Sequence, residues 1–85
     1  MPEVIIYSTP TCTHCNAAKM LLRSRGMTYT EINLAEEVNA TVKENLFESL
    51  DAQGKRRTVP QIFIDGVHIG GNSDLRAHFG LPPLP

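Results

Sequence analysis

The chain has two cysteines only, a net charge of −1 and no long apolar run. Each scarcity excludes something. So balanced a charge gives no electrostatic footprint for nucleic acid or an anionic membrane. No apolar stretch approaches the roughly 20 residues that cross a bilayer. The opening MPEVIIYS has no basic stretch and too short an apolar run for a secretory signal. A cytoplasmic chain is expected, and there structural disulfides are rare. A cross-link between Cys12 and Cys15 would also close too short a loop to restrict the unfolded chain much.

What is present reads as an ordinary globular protein, 41% hydrophobic and 20% charged. Its 85 residues suit one domain spanning 1–85. Glu3–Ser8 is a β-branched and aromatic run, and reads as a strand. Thr9-Pro10-Thr11 is the turn leaving it. From Cys12 to about Arg25 the composition favours helix, with Gly26 as its C-terminal cap. Thr28–Asn33 is a second strand, although Asn33 also suits a turn. Glu36–Leu50 is a second helix, with Val38, Val42, Leu46 and Leu50 as its core stripe. Asp51–Gly54 ends it. Pro60–Ile64 and Val67–Ile69 are two further strands, joined by the hairpin signal Asp65-Gly66. Asn72 or Ser73 caps a last helix through Phe79. The Pro-rich segment 81–85 reads as a loose tail.

The order β-α-β-α-β-β-α predicts an α/β fold. Its first two strands are parallel, a hairpin extends the same sheet, and helices cover both faces. A C-x-x-C just after the first strand of such a unit has a chemical logic. At the start of a helix, the Cys12 sulfur meets unpaired N–H groups and the positive end of the helix dipole. Both stabilise a thiolate. Cys15 follows one turn later, within reach and more buried. Cys12 is therefore the candidate nucleophile and Cys15 the resolving thiol in disulfide exchange. Zinc is the competing reading, but structural zinc wants four ligands. Beyond the two cysteines the chain offers His14, His68 and His78, with no second paired cluster. No metal is expected.

Three segments, "CTHC", "RTVPQIFIDGVHIGG" and "NSDL", resemble the short bacterial-type dithiol glutaredoxins. The likeness runs from about Val4 to Phe79. It implies a thioredoxin-like fold, a four-stranded mixed sheet flanked by three helices, with Pro60 in a cis peptide facing the cysteines. It implies a glutathione-dependent thiol–disulfide oxidoreductase that reduces protein disulfides and glutathione mixed disulfides. By the same likeness, the backbone of Val59 in Thr58-Val59-Pro60 pairs with the cysteinyl part of glutathione. Asn72, Ser73 and Asp74 match the segment that holds the γ-glutamyl end, Asp74 suiting its ammonium. Ser73 and Asp74 also suit a plain helix cap.

Two departures stand out. Thr13 and His14 replace the Pro-Tyr that many dithiol members carry. The lysine that many members place shortly before the first cysteine is absent, so Arg57 or its neighbour Arg56 is the candidate partner for the glycine carboxylate. His14 is read as a rim residue, Tyr7 as packing beneath the site and Lys19 as exposed helix surface. The expected partners are glutathione and disulfide-bonded or glutathionylated proteins, and the expected state is a monomer. Two alternatives remain. One is a thioredoxin-like electron donor, for instance to ribonucleotide reductase, recycled by a flavoprotein reductase. The other is an iron–sulfur cluster carrier, which the loss of Pro after the first cysteine permits.

Overall fold

A computed structural model describes residues 2–83. Its strands and helices follow the predicted order. They are β1 (Val4–Ser8), α1 (Thr13–Ser24), β2 (Thr30–Asn33), α2 (Ala40–Ala52), β3 (Gln61–Ile64), β4 (Val67–Gly70) and α3 (Asn72–His78). One sheet runs β2-β1-β3-β4. β1 and β2 are parallel; β1–β3 and β3–β4 are antiparallel.

Alternation along β1 divides the core between the two faces of the sheet. Val4 and Ile6 join Ala18 and Leu22 of α1, Ile62 of β3 and Leu75 of α3. Tyr7 turns the other way, into a cluster with Phe63 and with Leu46 and Leu50 of α2. So α1 and α3 cover one face and α2 the other. Both clusters include residues of the central strands β1 and β3.

The boundaries follow local chemistry. Gly26 N–H bonds Arg23 O at 2.9 Å and Met27 N–H bonds Leu22 O at 3.0 Å, the paired closure of a helix that stops at a glycine. Asp65 and Gly66 both have positive φ, 50° and 80°, as a tight two-residue hairpin requires. Asn33 ends β2 and also turns the chain, its Oδ1 accepting from Ala35 N–H at 2.9 Å.

Two expectations change. The second helix starts at Ala40, after a short 3-10 turn over Glu37–Asn39. Val38 sits in that turn and is 83% exposed, and Val42 is exposed as well, so only Leu46 and Leu50 of the stripe are core. The last helix is capped by neither Asn72 nor Ser73. Gly71 is its N-cap, and Asp74 reaches back to accept the Gly71 N–H at 2.9 Å. Leu81 N–H bonds Arg76 O at 2.8 Å and Arg76 Nε donates to Pro82 O at 2.6 Å, so the start of the tail is tied to α3. Residues 84 and 85 of that tail lie outside the described residues. No helix among the described residues is long and apolar enough to cross a membrane.

Candidate active site

β1 ends at Ser8, and a turn closed by Cys12 N–H to Thr9 O at 3.3 Å delivers the chain to α1. Cys12 lies one residue earlier than expected, as the N-cap rather than inside the first turn. Its backbone is extended (φ −89°, ψ 112°), and its Sγ accepts the N–H of Cys15 at 3.2 Å. The helix thus begins by giving the sulfur one of its free donors. No acidic side chain shares that first turn.

The two cysteines are unlike. Cys12 is half-buried, and Cys15 is completely buried. Both are free thiols. Burial, and then the hydrogen bond to Cys12, push the Cys15 thiol up to about 12, so it keeps its proton at neutral pH. Cys12 Sγ–H in turn points at Val59 O, 3.5 Å away. That contact brings the Thr58-Val59-Pro60 loop, with its cis Val59–Pro60 peptide, against Cys12.

A groove of about 280 Å³ opens beside this loop, lined by His14, Thr58, Val59, Pro60, Gly71, Asn72, Ser73 and Asp74. Residues from three distant segments therefore share one surface: the C-x-x-C turn, the T-V-P loop and the start of α3. His14 stands exposed on its rim. Gly70 lies against Asp74 of this lining. Its φ of +119° suits glycine, and a Cβ there would run into the Asp74 carboxylate. Tyr7 packs beneath, edge-on to Phe63 at 5.6 Å.

Arg57 does not reach this groove. Its Nε donates to both Asp51 carboxylate oxygens at 3.1 Å, and its guanidinium lies over Phe47 on the α2 side. Arg56 instead lines an adjoining groove of about 350 Å³, which shares Thr58, Gly71 and Asp74 with the first. Among the described residues, no three His, Cys, Asp or Glu side chains come together as a metal site would require.

Two polar networks escaped sequence reasoning. In the first, Gln61 is buried and its Nε2 donates to Thr58 O at 3.0 Å, while its Oε1 accepts from His68 Nε2 at 2.7 Å. His68 Nδ1 meets Lys55 Nζ at 3.5 Å, and the ring stacks on Phe63 at 4.7 Å. Burial, then Lys55, lower the His68 pKa, so the ring is neutral and holds the loop through Gln61. In the second, Lys19 is no exposed surface residue. Its side chain is 18% exposed and its Nζ lies 2.8 Å from Glu31 Oε2. No local spacing marks it, since Glu31 lies 12 residues on and is brought there by β2.

Comparison with known proteins agrees with this geometry. The glutaredoxin family profile matches residues 4–69. The chain is 42% identical to Glutaredoxin 3 of Escherichia coli, over 99% of this chain and 98% of that one. Among solved structures, glutaredoxin 1 of Francisella tularensis, complexed with cacodylate, superposes with a TM-score of 0.76. It is 27% identical, with 94% of each chain covered. A buckwheat glutaredoxin–glutathione complex superposes with a TM-score of 0.75 at 29% identity, over 91% of this chain and 69% of that one.

Proposed function

The chain belongs to the glutaredoxin family, with its thioredoxin-like fold and its C-x-x-C pair, and from that premise we propose that it is a glutathione-dependent dithiol oxidoreductase. Family and cysteine pair together support thiol–disulfide exchange as the reaction class. The observation that carries the finer reading is the asymmetry of the pair: Cys12 capping its helix and half-exposed, Cys15 buried and protonated.

In the first half-reaction the Cys12 thiolate attacks one sulfur of a substrate disulfide. The substrate S–S bond breaks, the leaving thiolate takes a proton, and Cys12 carries the other half as a mixed disulfide. With a glutathionylated protein, the protein leaves and glutathione stays on Cys12. A second glutathione then releases it as glutathione disulfide. With a protein disulfide, Cys15 attacks Cys12 instead, and two glutathiones later reduce the Cys12–Cys15 bond.

The glutathione contacts proposed here are backbone pairing at Val59, flanked by Thr58 and Pro60, and a γ-glutamyl site at Asn72, Ser73 and Asp74. Support comes from the single groove that unites them and from the buckwheat complex with glutathione. Asp51 already holds the Arg57 guanidinium. Arg56, beside Thr58, is the better partner for the glycine carboxylate. The reducing supply this chemistry needs fits a cytoplasmic setting.

The test is recycling. With a glutathionylated substrate, glutathione plus glutathione reductase sustains turnover and thioredoxin reductase alone does not. The reverse pattern refutes glutathione dependence.

A further inference from the structure

Ser8, Glu31 and Lys19 form a polar chain that the chemistry above leaves without a role. Ser8, 1% exposed at the end of β1, donates through Oγ to Glu31 Oε2 at 2.6 Å. Lys19 Nζ of α1 donates to the same oxygen at 2.8 Å. Two strands and a helix thus converge to keep one ammonium at a fixed place. Each partner strengthens the other's charge: Glu31 raises the Lys19 pKa, while Lys19, then Ser8, lower that of Glu31. Lys19 follows Cys15 by one helical turn, on the same side of α1. Burial, and then Cys12, hold the proton on the Cys15 sulfur; the Lys19 charge acts the other way, as the smallest of these influences.

We propose that Lys19, held by the Ser8-anchored Glu31, is a positioning residue for the resolving half-reaction, assisting ionisation of Cys15 as it attacks the mixed disulfide on Cys12. In that step Cys15 gives up its proton, in balance with the one the departing thiolate takes up, and its sulfur bonds to the sulfur of Cys12. The bond from Cys12 to the substrate sulfur breaks, and the substrate leaves as a thiolate that takes up a proton. In this step Cys15 is oxidised and the substrate sulfur is reduced, while Cys12 stays at the disulfide level. Lys19 accepts no proton, because Glu31 keeps it cationic; it works by charge alone. The inference rests on the dithiol reading of Cys12 and Cys15, and not on glutathione.

Dithiodipyridine separates the steps without glutathione. The reduced protein releases one thiopyridone when Cys12 attacks and a second when Cys15 resolves. Lys19→Gln keeps a donor for Glu31 and loses the charge; Lys19→Arg keeps the charge. The expected result is a second release slowed roughly threefold to tenfold in Lys19→Gln, with its acceleration displaced to higher pH. The first release is unchanged, and Lys19→Arg restores the second to within about twofold of wild type. An unchanged second release in Lys19→Gln, or equal slowing of both, overturns the role. Release of a single thiopyridone by the wild type refutes the dithiol reading itself.

Discussion

The backbone N–H of Cys15 donates to the sulfur of Cys12 at 3.2 Å, so the proposed nucleophile is also the cap of its helix. A serine hydroxyl fills such a position at least as well as a thiol. Cys12→Ser is therefore expected to unfold at a temperature no lower than wild type. Cys12→Ala, which removes the acceptor, loses about 1 kcal/mol. A Cys12→Ser variant destabilised as much as Cys12→Ala would argue against the cap.

Burial of Cys15 has a consequence at alkaline pH. Its thiol is raised from an ordinary 9.0 to about 12 in the folded chain. Between those values the unfolded chain loses the proton while the folded one keeps it. Stability from this group is complete below about pH 9 and is lost as pH rises toward 12. The slope is about 1.4 kcal/mol per pH unit. Denaturant unfolding of Cys15→Ser against wild type across that range isolates it. Parallel pH profiles would contradict the burial argument.

Gly70→Ala tests the wall of the groove. A methyl group at φ +119° meets the Asp74 carboxylate. Asp74 must move, and the Gly71 N–H loses its partner. A loss of about 2 kcal/mol or more in stability is expected, together with weaker glutathione use. Thermal unfolding and the Michaelis constant for glutathione read the two effects. Wild-type values for both would show that this approach is not tight.

Arg56 and Arg57 are adjacent in sequence and differ in surroundings. Arg56→Ala is expected to weaken glutathione use by about fivefold or less, and less still in high salt. Arg57→Ala has the smaller effect, because Asp51 already holds that side chain. The apparent glutathione affinity of each variant decides. A larger loss in Arg57→Ala would move the carboxylate site toward α2.

Much of this was legible because the signals are local. The alternating run at β1, the Asp65-Gly66 turn and the glycine after α1 specify their own conformations. The C-x-x-C and T-V-P segments named the two sides of the site. What escaped depends on tertiary placement. Val38 fits the helical period, yet a 3-10 turn rotates it into solvent. Asn72 and Ser73 are good caps by type, but Asp74 reaching back to Gly71 sets the start of α3. Lys19 looks like any helix-surface lysine until β2 brings Glu31 against it. Arg57 looks free until the end of α2 presents Asp51.

The most direct measurement compares two substrates in two variants. A glutathionylated protein and a protein disulfide are each reduced with glutathione and its reductase, by Cys12→Ser and by Cys15→Ser. Cys12→Ser is expected to lose both activities, since no exposed nucleophile remains. Cys15→Ser keeps appreciable deglutathionylation, which needs only Cys12 and a second glutathione, and loses protein disulfide reduction. An active Cys12→Ser, or equal loss of both activities in Cys15→Ser, would contradict the division of labour between the two sulfurs.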